Sequence, residues 1–150
     1  AIIERKTNSF DAYRNVHVQK GNTLNIYSDF LTYDGTTENG KFRDNVKMVE
    51  EGQTLTTEYL DFNASDNSGY FYNGGRIVDS STVLDCKRGY YYPDKSQYVF
   101  YDSVVVHQDD YVMYSDTLEY DLKSKIFTVF GPTEIVSNDN YIYCERGTYN

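Results

Sequence analysis

The sequence predicts an all-β fold of stacked antiparallel strands, and three observations predict it. A nine-residue phrase recurs five times at intervals of 29 residues, and a fixed period of that size marks a repeat architecture. Two polar turn clusters fall inside each interval, so the chain reverses twice per unit and builds hairpins rather than a parallel coil. Seventeen Tyr and eight Phe, with many Val and Thr, favour strand, and no window carries a sustained helical apolar stripe.

The copies run from Ile26 to Asp34, Leu55 to Asn63, Leu84 to Tyr92, Met113 to Asp121 and Ile142 to Asn150, the third being degenerate. Their closing aromatics are Tyr33, Phe62, Tyr91, Tyr120 and Tyr149. Each copy opens on an aliphatic residue or Met, and two positions on comes a small one: Ser28, Thr57, Cys86, Ser115 or Cys144. That is period two, a strand with one buried face. An acid follows at Asp29, Glu58, Asp116 and Glu145, with Lys87 as the exception, and the apolar positions then resume one place out of phase. The slip predicts a β-bulge or corner at the acid, with its carboxylate in solvent.

A partner strand precedes each phrase: Tyr13 to Val18, Phe42 to Val49, Tyr70 to Val78, Val99 to Val106 and Ile126 to Val136. Turns of Gly, Asn, Asp and Ser join partner to phrase, as at Lys20-Gly21-Asn22 and Gln108-Asp109-Asp110. A second turn follows each phrase, as at Asp34-Gly35 and Asp121 to Ser124. One unit has too little apolar surface to stand alone, so stacking must supply the core. The 150 residues read as a single domain with an irregular lead-in over residues 1–12. Ala1 to Ser9 shows no apolar stretch or cleavage pattern, which suits a mature chain or an excised fragment.

Net charge is −9 and the 14 Lys and Arg are scattered, so no nucleic-acid partner is expected. No run of eighteen apolar residues suggests a membrane-spanning helix. Cys86 and Cys144 share a column two units apart, roughly 9 to 10 Å at the usual strand spacing, so both are expected free and inward.

No catalytic group is expected. The recurring acids follow from the recurring unit, whereas an active-site pair normally occurs once. His17 and His107 lack neighbours at ligand spacing, and the turns at Asp109-Asp110 and Asn138 to Asn140 read as turn chemistry, so no metal or other cofactor is implied. Asn63-Ala64-Ser65 fits the glycosylation pattern, which carries meaning only in a secreted eukaryotic chain. The inward column is the candidate site: Ile26, Leu31, Tyr33, Leu55, Leu60, Phe62, Met113, Leu118, Tyr120 and Ile142, with Val16, Val46, Ile77, Val104 and Ile135 from the partner strands. If two sheet faces close on this seam it is a core; if they splay it is a trough for acyl chains.

The unit pattern of aliphatic, small, acid, Leu, aromatic and Asp or Asn, preceded by Asp44-Asn45-Val46 or Asp102-Ser103-Val104, resembles the OstA-like (organic solvent tolerance) domain family. The resemblance covers about Tyr13 to Asn150 and extends to the LptA-like periplasmic lipopolysaccharide-transport proteins. It implies an open, twisted β-jellyroll, a location in the periplasm of a Gram-negative bacterium, and conduction of lipopolysaccharide with acyl chains inside. It also implies head-to-tail strand pairing with other OstA-like domains and a link to the outer-membrane translocon, with the inward column as groove lining. The departures are Lys87, and Gly89 and Gly147 where Leu is the rule. The alternative is a secreted β-repeat module, structural or polysaccharide-binding, the latter through outward tyrosines such as Tyr27, Tyr114 and Tyr143. An enzyme on a β-solenoid ranks third, lacking any one-off cluster of acids and bases.

Overall fold

The computed structural model describes residues 2–4 and 8–150. Its strands are β1 (Ile2–Glu4), β2 (Ser9–Lys20), β3 (Leu24–Asp34), β4 (Asn39–Glu50), β5 (Gln53–Asn63), β6 (Ser68–Asp79), β7 (Thr82–Cys86), β8 (Arg88–Tyr92), β9 (Gln97–His107), β10 (Tyr111–Asp121), β11 (Ile126–Val129), β12 (Thr133–Ser137), β13 (Tyr141–Cys144) and β14 (Gly147–Tyr149). One 3-10 turn at Pro93–Lys95 is the sole helical element among the described residues. All fourteen strands belong to one antiparallel sheet. The expected irregular lead-in is corrected: residues 2–4 and 9–12 are strand, β1 pairing β2 from Ile2↔Asp11 to Glu4↔Ser9. Residues 1 and 5–7 lie outside the described residues.

The long strands bend midway, and the bend is built from left-handed residues. Arg14 and Asn15, Asp44 and Asn45, Asn73 and Gly74, and Asp102 and Ser103 all have positive φ. In β4, Asp44 and Asn45 together oppose Glu58 alone, because the pairing steps from Val46↔Thr57 to Arg43↔Tyr59. The same two-against-one step occurs between Tyr13 and Val16 opposite β3. The extra residue therefore sits on the partner strand, not at the acid as the sequence suggested. Among residues with a side chain, Asn and Asp adopt the left-handed region at least cost, which explains their presence here.

The acid and small columns serve this corner. Asn45 N–H donates to Glu58 Oε2 at 3.1 Å, and Asn45 Nδ2 donates to Asp29 Oδ2 at 2.7 Å. Ser28 Oγ donates to the Phe30 carbonyl at 2.9 Å, and Thr57 Oγ1 to that of Gly74 at 2.7 Å. Both satisfy backbone groups that the bulge takes out of the ladder. Where Lys87 replaces the acid, its own main chain takes over: the carbonyl accepts Gly74 N–H at 2.8 Å and its N–H donates to Asp102 O at 3.2 Å. There the phrase strand breaks into β7 and β8, which continue end to end between β6 and β9. The expected strand from Ile126 to Val136 likewise breaks, at Gly131 and Pro132, into β11 and β12.

Bending turns one sheet into two facing halves with a common core, a β-jellyroll. Leu55, Leu60, Phe71, Phe100, Val106, Met113 and Leu118 have 0% exposure. Phe71 fills space that two glycines leave: a Cβ on Gly75 would lie 2.5 Å from its ring, and one on Gly89 would lie 2.5 Å from the ring and 2.8 Å from the Val99 carbonyl. Gly89 thus departs from the Leu column because a neighbour's ring occupies that place. Cys86 and Cys144 are free thiols, buried and half-buried, and burial pushes the Cys86 thiol up to about 12.

Opposite the corners, the turn ends of the two halves meet along a polar seam. Each contact skips more than a unit. Lys20 reaches Asn67, Tyr91 OH donates to Glu50, and Asp79 accepts from Tyr120 OH at 3.0 Å and Lys125 Nζ at 2.5 Å. Burial holds the Glu50 carboxyl above its ordinary value near 4.5, and pushes up the Tyr98 and Tyr120 phenols beside it and beside Asp79.

Two predictions follow from this packing. Gly75→Ala should cost about 1–3 kcal/mol by overpacking, and less in a Phe71→Leu background, as read by urea denaturation; an equal cost in both backgrounds would refute the assigned clash. A raised carboxyl pKa contributes stability that is complete below the unfolded value and is lost as pH rises through the folded one. The melting temperature of the parent should therefore fall relative to Glu50→Gln as pH rises from about 4.5. A difference that stays flat from pH 4 to 7 would count against it.

Candidate functional site

The interior between the half-sheets gathers nearly the whole inward column. Val16, Ile26, Leu31, Val46, Leu55, Leu60, Phe62, Ile77, Val104, Met113, Leu118, Tyr120 and Ile135 are buried in one cluster. Tyr33 is half-buried. Ile142 is the correction: it lies opposite Ile135 in the β12–β13 pair, yet 48% of it is exposed, because no further strand covers β13 among the described residues.

The interior is not uniform along the stack. Through β5 to β10 it is solid, its buried apolar side chains between 0% and 9% exposed. At the first unit it opens into a pocket of about 300 Å³ with an almost wholly apolar lining, including Phe10, Val18, Ile26, Leu31, Tyr33, Phe42 and Phe62. Four of these belong to the inward column. Phe10, Val18 and Phe42 did not stand out, since the first fell within the supposed lead-in and the others extend the alternation of partner strands. Lys20 at the rim was hidden in a turn cluster.

No tyrosine–carboxylate contact of the seam forms at the opening among the described residues. Closing tyrosines Tyr91 and Tyr120 donate to Glu50 and Asp79, whereas the corresponding residue of the second unit is Phe62, which has no hydroxyl to give. Lys20 sits 5.0 Å from the Phe62 ring centroid instead. The mouth beside it stays apolar and accessible.

On the outside, Tyr27, Tyr114 and Tyr143 are exposed, as the sequence places them. Tyr114 and Tyr143 line a shallow depression of about 390 Å³ at a corner, with Asp116 and Glu134; Tyr27 lies elsewhere, stacked on His17 at 4.5 Å. His17 also hydrogen-bonds Asn25 Oδ1 at 2.9 Å. A ladder of tyrosines crosses another part of the outer face, Tyr59 on Tyr72 at 5.2 Å and Tyr70 on Tyr72 at 5.2 Å, with Arg43 beside them. These rings stack on one another. The acids of the corner column are spread along the stack, and no group of three metal-ligating side chains occurs among the described residues.

A profile of OstA-like proteins matches residues 1–116. No curated protein matches the sequence. Among solved structures the chain is similar to LptH, the LptA-homologous periplasmic component of the conserved lipopolysaccharide transport device from Pseudomonas aeruginosa. The TM-score is 0.65 at 14% identity, over 71% of this chain and 80% of that one. At that identity the likeness is one of fold: a single antiparallel sheet bent on itself. With most of its length matched to the profile and the jellyroll shared with a solved structure, the chain belongs to the family of OstA-like proteins.

Proposed function

We propose that this chain is a periplasmic component of lipopolysaccharide transport, a carrier rather than an enzyme, that holds acyl chains of its cargo between the two half-sheets. The observation that carries this reading is the apolar pocket at the first unit, open to solvent and continuous with the core. Burying a methylene there contributes about 0.8 kcal/mol, so contact with six offsets the ordering of a flexible chain by about 5 kcal/mol. A chain with net charge −9 cannot draw an anionic lipid by bulk attraction. Apolar contact has to supply the affinity.

Passage beyond the first unit needs room that the packed interior lacks. The half-sheets part along the polar seam, at Glu50–Tyr91 and Asp79–Tyr120, so that Leu60 and Leu118 come to line the cargo's path. The remaining partners are other OstA-like domains and the outer-membrane translocon. Edge pairing supports the former: among the described residues β13 and β14 each pair with one strand, and such edges are templates for strand addition.

Polysaccharide binding on the outer face is the competing reading, favoured by the depression holding Tyr114 and Tyr143. The tyrosine ladder supports it less, because stacked rings leave few free faces for a sugar. Photo-crosslinkers placed at positions 31, 60, 114 and 118 in a Gram-negative host separate the two. Lipopolysaccharide should be captured at 31, and at 60 and 118 as cargo advances, with 114 silent. Capture at 114 with silence at the inward positions in a folded protein would hand the function to the outer face.

A further inference from the structure

One cation stands at the rim of the apolar pocket. Lys20 Nζ donates to Asn67 Oδ1 at 2.7 Å and to the Ala64 carbonyl at 3.5 Å, both neutral oxygens. None of the ion pairs among the described residues includes Lys20, although the chain carries 23 Asp and Glu against 14 Lys and Arg. An ammonium has three donors, so one N–H remains for a ligand oxygen. Asn67 is itself held in place, its Nδ2 donating to Asp94 Oδ1 at 2.8 Å. The carbonyl oxygen that steadies Lys20 is therefore fixed by a turn one unit further on.

Beneath the ammonium the walls are Val18, Ile26, Leu31 and Phe62. The lining ends at Phe42 and Phe62, and Leu55 and Leu60 further along the stack have no exposed surface. A site about 300 Å³ in volume, with one cation at its lip, suits one chain rather than a bundle of them. Resting on the reading that the interior takes acyl chains, we propose that this pocket is a selectivity site for a single alkyl chain with an anionic head group, phosphate or carboxylate, which docks on Lys20. The alkyl chain displaces water from the apolar walls, and the head group completes the ammonium's third hydrogen bond in a charge-assisted contact. Selection lies in the head group, because apolar walls do not distinguish among the alkyl chains that the pocket can hold. Lys20 is then a positioning and specificity residue at the point where cargo enters.

Dodecyl phosphate and dodecyl maltoside, each titrated below micelle concentration into the full chain, test this by calorimetry. The parent should prefer the phosphate on the order of tenfold, the worth of one charged hydrogen bond. Lys20→Glu should abolish the preference, weakening phosphate binding about tenfold more than maltoside binding, and Lys20→Arg should retain it. Val18→Trp, which fills the pocket, should lose both ligands with its β-type circular dichroism intact. Cosedimentation with lipopolysaccharide and with phosphatidylglycerol vesicles identifies the source: Lys20-dependent retention by either supports the site. Equal affinity for the two detergents, or a preference that survives Lys20→Glu, overturns the site while lipid capture at position 31 still stands. If the parent binds neither detergent and position 31 captures nothing, both this site and the transport reading fall.

Discussion

The structure depends on one constraint, that a strand must turn a corner without leaving its backbone groups unpaired. Two consecutive left-handed residues on the partner strand produce the turn, at a cost of roughly 1–2 kcal/mol for each residue with a side chain. The cost is met where it arises. Glu58 accepts the Asn45 N–H, Ser28 and Thr57 cap carbonyls, and the Lys87 main chain substitutes where the acid is missing. Because these devices recur at the same point of successive units, the corners align, and one sheet closes on its own apolar face. Core, seam and pocket all follow from that alignment.

Much of this was legible in the sequence because the period is strict and each column has one physical job. Strand pairs, turn positions and the inward face could be read from alternation and turn residues alone. What escaped was information held between units. The acid column marked the corner, but its partner is the Asp44-Asn45 pair on the neighbouring strand, so the extra residue was assigned to the wrong side of the ladder. Gly89 looked like a lapse in the pattern; its reason is the ring of Phe71, eighteen positions earlier and on another strand. Lys20 carries no sequence signal at all, since its setting is created by Asn67 and Phe62.

The same physics accounts for the uneven interior. At Tyr91 and Tyr120 the closing hydroxyl reaches the carboxylate opposite, and the halves meet over a packed core. Where the closing residue is Phe62, no such contact forms and the space beneath remains open. A hydroxyl with a carboxylate to meet marks the sealed segment; Tyr33, which makes no such contact, lines the accessible one. The inward column describes both equally well, which is why it could not by itself distinguish a core from a trough.

The seam also bears on how the chain reaches its native form. Hairpins such as β2–β3 close over three residues, but Glu50 waits for Tyr91 and Asp79 for Tyr120, forty-one residues later in each case. Closing so long a loop costs entropy before any contact rewards it, and such pairings form slowly. A chain emerging from its N-terminus therefore assembles as an open ribbon of hairpins. Each unit is sealed only when the next has arrived, so closure trails synthesis by about one and a half units and ends at the C-terminal side.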